Sequence, residues 1–292
     1  MLCWKKRGYC MLRKDTVFGV IGLGLIGGTF AKGLHEAGYT VYAVDIDEAA
    51  IAYGKTKGWI TMGSSDPSLV QECDIVISAL YPDAFLKWIT ENGRYLKPGS
   101  LLSDVSGVKR SVISHVKEHL PSGVQYLSCH PMAGREFRGI AYADTERFHG
   151  ANFLLVSEED TPADALETMR QVAEILGFGR ISTLSAEQHD RMIGFLSQLT
   201  HVIAVALMNA SSDPDLVRYT GDSFRDLTRI ALINEELWPQ LFLLNKDILL
   251  EEIDGFVKEM MEFRTLLEND DTAGMQEKMR ISGMRRKEFD KR

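Results

Sequence analysis

Residues 127–136, LSCHPMAGRE, put a histidine, His130, at the end of a short apolar run and directly before a proline. An imidazole there has several chemical uses. It could bind a metal with Cys129, activate a nucleophile, or hold a substrate hydroxyl and take its proton. It could also be a core histidine with satisfied hydrogen bonds. The metal use lacks further ligands, because no His/Cys cluster stands near Cys129 in the sequence. A Cys129 nucleophile is disfavoured because neighbouring side chains on a strand point to opposite faces.

A second group of residues binds rather than reacts. Gly22-Leu23-Gly24-Leu25-Ile26-Gly27 follows the apolar run Val17 to Ile21 and opens a helical stretch that Gly38 stops; Asp45 comes 21 residues after Gly24. Strand, GxGxxG, helix and a later acid together form a dinucleotide fingerprint. Gly22 permits the tight turn, Gly24 lets a pyrophosphate approach the backbone, and Gly27 lets the helix pack on the strand. Leu25 and Ile26 open the helix, whose free N–H groups face the phosphates. Asp45 would accept from the adenosine ribose hydroxyls and repel a 2′-phosphate, which predicts NAD over NADP. The competing reading is a glycine-rich turn of another α/β protein, with Asp45 a helix cap.

These residues need a sheet to position them. Strands are expected at Val17–Ile21, Thr40–Val44, Asp74–Leu80, Ser100–Ser103, Val124–Ser128, Asn152–Val156 and Arg180–Thr183, with helices between them. One helix is expected over 104–120, and another over 161–177 with Thr161 as N-cap and Pro162 at its first position. This alternation reads as an α/β fold: a Rossmann doubly wound, mainly parallel sheet with ligands at the carboxyl ends of its strands. Asp104, Ser106 and His130 fall at such ends, beside the expected nicotinamide.

From Ser185 the pattern becomes helical. The stretch 185–211 carries no turn signal for over twenty residues and is apolar nearly all round, so it belongs in a core or a subunit interface. Asp190, Gly194, Ser197, Gln198 and His201 form a polar or small stripe along it, either a substrate pocket or a hydrogen-bonded core network. Asp222, Arg225, Asp226 and Arg229 then recur at helical spacing. That is often a solvated face, but apolar runs flank it, and an arginine entering a pocket suits a carboxylate. Residues 245–292 read as one or two amphipathic helices with a charged tail. The expected domains are 1–184, with 1–14 an arm or an extension ahead of Met11, and 185–292.

The bulk numbers agree with a globular protein. Of 292 residues 45% are hydrophobic and 25% charged, which excludes disordered and fibrous classes. The net charge of -8, from 33 basic against 41 acidic residues, argues against nucleic acid and anionic membrane as partners. No run reaches the 18 or so unbroken apolar residues of a membrane span. Four cysteines without metal or disulfide spacing suggest reduced thiols and a cytoplasmic protein.

With those residues in hand, the chain resembles the prephenate/arogenate dehydrogenase family of tyrosine biosynthesis. The resemblance runs nearly end to end, through GVIGLGLIGG, HPMAG, THVIAVAL, FRDLTRIA and W…NK. It implies a Rossmann domain followed by an all-helical dimerisation domain, a homodimer, NAD, and a small-molecule substrate, prephenate or arogenate. The implied reaction is oxidative decarboxylation: hydride leaves ring C4 for NAD⁺ and the C1 carboxylate departs as CO₂. By the same resemblance His130 is the catalytic histidine, neutral and bonded to the C4 hydroxyl, and Arg229 binds a substrate carboxylate. His201 is a second pocket histidine, Glu136 an acid at the pocket mouth, and Trp238 a residue near the dimer seam.

The chain departs from the family pattern twice. Where the family often has a serine before Val-Lys to orient the histidine, DVSGVK has Gly107, so Ser106 takes the role from a shifted position or its backbone does. Where many relatives read SHLPH, this chain reads SQLTH, and Gln198 would bear on the substrate side chain. Two other functions compete. A 3-hydroxyacid dehydrogenase would carry a catalytic lysine on the inter-domain helix, and none lies between Ser185 and Ala210. A non-catalytic NAD-binding sensor would have no use for His130, His201 and Arg229 together.

Overall fold

In the computed structural model, which describes residues 3–6, 9–134 and 137–289, the short apolar runs at the centre of the sheet become strands buried on both faces, while Arg180–Leu184 at one edge stays partly exposed. Ahead of the main sheet, β1 (Cys3–Lys6) and β2 (Tyr9–Leu12) pair antiparallel, so part of the expected arm is strand. The Leu12 N–H donates to Gln171 Oε1 at 2.8 Å. Then follow β3 (Val17–Ile21), α1 (Leu25–Glu36), β4 (Thr40–Val44), α2 (Glu48–Thr56), β5 (Met62–Ser64), β6 (Ile75–Ser78) and α3 (Pro82–Asn92). The alternation continues with β7 (Leu101–Asp104), α4 (Arg110–His119), β8 (Gln125–Pro131), β9 (Asn152–Val156), α5 (Ala163–Ile175) and β10 (Arg180–Leu184).

The eight-stranded sheet has the order β10-β9-β8-β7-β6-β3-β4-β5. Every neighbouring pair is parallel except β8 with β9, where His130 lies opposite Leu154. The order reverses between β3 and β6, and that switch point opens a crevice at the carboxyl ends. Alternation along the strands makes two cores. Ile75, Ile77, Leu127 and Cys129 pack with Phe30 and Leu34 of α1 and Met169 and Val172 of α5. Ile21, Val76 and Leu102 pack with Phe85 and Ile89 of α3 and Val112 and Val116 of α4.

Two helix starts differ from expectation. α4 begins at Arg110, not near Asp104, because the intervening residues form a loop whose polar groups bond one another and the sheet. α5 takes Pro162 as its N-cap, and the Thr161 hydroxyl instead accepts the Glu158 N–H at 2.8 Å.

After β10 come α6 (Ala186–Ile193), a π turn over Gly194–Leu199, and α7 (Thr200–Asn209). A Ser185–Gln188 capping box starts this run. Next are α8 (Leu216–Tyr219), α9 (Asp222–Thr228), a 3₁₀ turn over Arg229–Ala231, and α10 (Leu237–Leu244). By length and composition Ala186–Asn209 could cross a membrane. Its His189, Asp190 and Gln198 are instead buried in hydrogen bonds to the sheet domain and α10. Part of the run is open, however: of α7 only Ala204 is buried, and Phe195 and Leu196 are 56% and 52% exposed.

The chain divides into two compact units, Met1–Asn245 and Lys246–Arg292. The alternating pattern stops at Ser185, but packing continues to Asn245 because the helices from α6 to α10 bond to the sheet. The second unit is the helical pair α11 (Lys246–Glu268) and α12 (Thr272–Glu288). Asp271 caps α12, and Lys278 bridges Glu259 and Glu262 at 2.8 and 2.7 Å.

Candidate active site

The glycine turn forms as its residue types demand. Gly22 has φ +88°, a conformation that a side chain would strain. A Cβ on Gly27 would lie 1.8 Å from the Gly22 carbonyl oxygen, whereas one on Gly24 would meet nothing within 4 Å. Open space therefore stands before the N-terminus of α1, which has no side-chain cap and no acid in its first turn. Leu25 and Ile26 begin that helix and leave their N–H groups to this space. One Asp45 carboxylate oxygen accepts from the Leu23 N–H and the other from the Asp47 N–H at 2.8 Å. The carboxylate thus stands at the end of β4 beside the turn. This is a cradle with room for a pyrophosphate and an acid for a ribose.

His130 lies at the carboxyl end of β8, three strands from β3. Its neighbour Cys129 faces the opposite core, where burial pushes the thiol up to about 12, so no thiolate serves the site. The His130 Nδ1 lies 2.9 Å from His189 Nε2, and the His189 Nδ1 lies 2.7 Å from Asp190 Oδ1. Asp190 also accepts the N–H groups of Lys109 and Arg110 at 2.9 and 2.8 Å, at the N-terminus of α4. A carboxylate can only accept, so His189 Nδ1 donates to it. Neutral His189 then has its lone pair on Nε2, which accepts from His130 Nδ1–H. The lone pair of His130 is left on Nε2. Burial, then the neighbouring His189 and the Lys109 ammonium, hold the His130 pKa well below its ordinary value, so the ring is neutral. Burial also lowers His189, although its bond to Asp190 works the other way.

Several expected assignments change. Asp104 is not a cofactor ligand. It is 1% exposed, and its oxygens accept from Ser106 N–H (3.0 Å), Ser106 Oγ, Lys109 Nζ (2.9 Å), Tyr126 OH (2.6 Å) and Ser128 Oγ. Burial alone would raise its pKa; the Lys109 ammonium and these hydroxyls outweigh that and hold it below the usual carboxylate range. Ser106 does not orient His130. Its buried hydroxyl sits between Asp104 Oδ1 and the Val108 carbonyl, because the loop turns it toward the sheet. Gly107 is the residue that faces the imidazole: a Cβ there would lie 4.0 Å from His130 Cε1 and 3.3 Å from Leu241. Gln198 is no substrate contact. It is 1% exposed, its Nε2 donates to the Leu241 carbonyl, and its Oε1 accepts from Asn245 Nδ2, each within 3 Å.

The remaining expected residues lie on the helical side. His201 of α7 and Trp238 of α10 stack with ring centroids 3.7 Å apart, and His201 Nδ1 donates to the Ser197 carbonyl. The Arg229–Ala231 turn packs on α7, with Arg229 exposed. Glu136 lies outside the described residues. The segment before α10 ties back to the sheet loops through Asn234 to Tyr81 (2.8 Å) and Arg138 to Glu235 (3.0 Å). His189 and Lys109 were not assigned a role from sequence, and Asp190 was expected only as part of the polar stripe of its helix, where it serves the hydrogen-bonded network. The His-Asp dipeptide on an apolar helix was the available signal.

The family description "prephenate dehydrogenase, nucleotide-binding domain" matches residues 30–181, and "prephenate dehydrogenase, dimerization domain" matches 185–281. Prephenate dehydrogenase of Bacillus subtilis is 30% identical over 271 residues, covering 90% of this chain and 72% of that protein. Cyclohexadienyl dehydrogenase of Zymomonas mobilis is 30% identical over 269 residues, covering 88% and 91%. The crystal structure of prephenate dehydrogenase from A. aeolicus in complex with hydroxyphenyl propionate and NAD⁺ superposes with a TM-score of 0.87. It is 26% identical and covers 94% of this chain and 98% of that one. With its cradle at β3 and its oriented histidine at β8, the chain belongs to the prephenate dehydrogenase family.

Proposed function

We propose that this protein is an NAD-dependent prephenate dehydrogenase that converts prephenate to 4-hydroxyphenylpyruvate and CO₂ in tyrosine biosynthesis. The observation that carries this reading is the neutral His130, whose lone pair the His189–Asp190 pair directs to Nε2. The nicotinamide, when bound, accepts a hydride from the substrate. The glycine turn and α1 N-terminus would hold its pyrophosphate, and Asp45 its adenosine ribose. His130 Nε2 accepts the C4 hydroxyl proton as that oxygen becomes carbonyl-like, which lowers the barrier to hydride loss. Electrons from the bond to the departing carboxylate then complete the aromatic ring, and the resulting phenolate oxygen takes the proton back from His130. Arg229 pairs with a substrate carboxylate, and His201 and Trp238 line the helical wall.

The functional division falls near residue 184, between a nucleotide domain and a helical domain. The extents of the two family descriptions support it. The protein works as a homodimer: Phe195, Leu196 and Met208 are apolar and about half exposed in the single chain. The name of the second family description supports the same assembly. Reduced thiols at buried Cys73 and Cys129 support a cytoplasmic location.

The test is NADH formation by the purified protein with NAD⁺ and either prephenate or arogenate. Turnover with prephenate is expected. Turnover with arogenate alone would reassign the substrate, and NAD binding without turnover on either would make the protein a sensor.

A further inference from the structure

Beneath His130 lies an ion pair that takes no part in the proposed chemistry. Lys109 is 0% exposed and Asp104 1%. A buried pair adds little net stability over apolar side chains of the same volume, because both ions lose their water. Its geometry points to another use. Lys109 Nζ donates to the carbonyl of Cys129, the residue before His130, at 2.6 Å. The same residue's backbone N–H donates to Asp190 Oδ1, the oxygen that also receives His189. One residue thus grips the backbone beside His130 and the carboxylate that orients its ring through His189.

We propose that Lys109, neutralised by Asp104, is a positioning residue that holds His130 between the end of β8 and the His189–Asp190 pair. The proposal rests on His130 being the catalytic base. The charged and titratable groups around the ring come from three other elements: Asp104 on β7, Lys109 and Arg110 at the start of α4, and His189 and Asp190 on α6. On its own strand Tyr126 donates to Asp104, and the Cys129 thiol faces the opposite core. Leu241 of α10 and Leu154 of β9 add only apolar walls. Lys109 is the cation whose nearness disfavours a charged His130, and Asp104 keeps that cation from standing unpaired in the interior.

The experiment compares Lys109→Met, the double variant Asp104→Asn/Lys109→Met, and His130→Asn in the full chain. The double variant leaves no buried ion unpaired. It should fold by circular dichroism and keep its KM for NAD⁺. Its kcat should fall tenfold or more, and the acid limb of its kcat profile should move toward higher pH as the ring becomes easier to protonate. A folded double variant with unchanged kcat and acid limb would overturn the proposal. Should neither variant fold, ring ¹⁵N spectra of the wild type decide. His130 protonated on Nδ1 alone, and resisting titration near its ordinary value, supports the proposal; ordinary titration overturns it. His130→Asn separates the two claims. Its inactivity beside an unaffected double variant removes Lys109 alone, whereas full activity removes the base and this proposal with it.

Discussion

His130 Nδ1 and His189 Nε2 are 2.9 Å apart, and only one proton fits between them. Asp190 decides which nitrogen carries it. By accepting from His189 Nδ1, the carboxylate leaves His189 Nε2 as the acceptor and fixes His130 as the Nδ1–H tautomer. A free imidazole would divide between two tautomers; here one is selected before any substrate arrives. The selected form presents a lone pair on Nε2, as a proton acceptor requires.

His130→Asn should therefore reduce kcat by about 10²–10⁴-fold, the usual contribution of a general base, with little change in KM. Steady-state kinetics check this. A larger effect on KM than on kcat would make His130 a binding group.

His189→Phe keeps an aromatic ring but removes the acceptor for His130 Nδ1–H. With the tautomer no longer selected, kcat should fall by about 10–100-fold, the typical loss for a residue that orients a functional histidine. Wild-type kcat with His189→Phe would show that Nδ1 needs no partner.

The acid limb of kcat should lie below the ordinary histidine pKa of about 6.5, since burial, His189 and Lys109 all lower His130. A base works only above its own pKa, so lowering the pKa extends activity toward acid. A limb at or above the ordinary value would contradict the neutral, half-buried ring.

The glycines should separate folding from binding. Gly27→Ala places a Cβ 1.8 Å from the Gly22 carbonyl oxygen, so it should lower stability by about 1–3 kcal/mol or more. Gly24→Ala meets nothing within 4 Å and has φ -75°, so its Tm should hold while NAD affinity falls. Thermal melts with and without NAD distinguish the two. In the same titrations NAD should be preferred to NADP by roughly a hundredfold, because Asp45 would face the 2′-phosphate with like charge.

Arg229→Ala should raise KM for the substrate roughly ten- to a hundredfold, the loss of a charge-assisted hydrogen bond of about 1.5–3 kcal/mol, with a smaller change in kcat. An unchanged KM would remove Arg229 from the carboxylate role.

Much of this protein is written in local order. GLGLIG between an apolar run and a helix specifies its turn because glycine alone accepts the required φ and the close contact at Gly27. The strands were legible for a similar reason: burial on both faces demands continuous apolar runs, and β3, β4 and β9 lie where those runs lie. The placing of His130 at a strand end follows from the same pattern.

What local order could not say is how polar groups far apart in the chain pair. Asp104 ends a strand, as a cofactor ligand would, yet Lys109, Tyr126 and Ser128 enclose it. Gln198 stands where a pocket residue was expected, but Leu241 and Asn245 take both ends of its amide. His189 drew no attention in sequence, and the fold brings it across 59 residues to His130. The sequence by itself determined which segments are strands, where the chain turns and where a dinucleotide fits, since those depend on neighbours in the chain. The tertiary structure decided which polar side chains spend their hydrogen bonds on the protein and which keep a lone pair for a substrate, since a buried polar group must be satisfied by whatever the fold puts beside it.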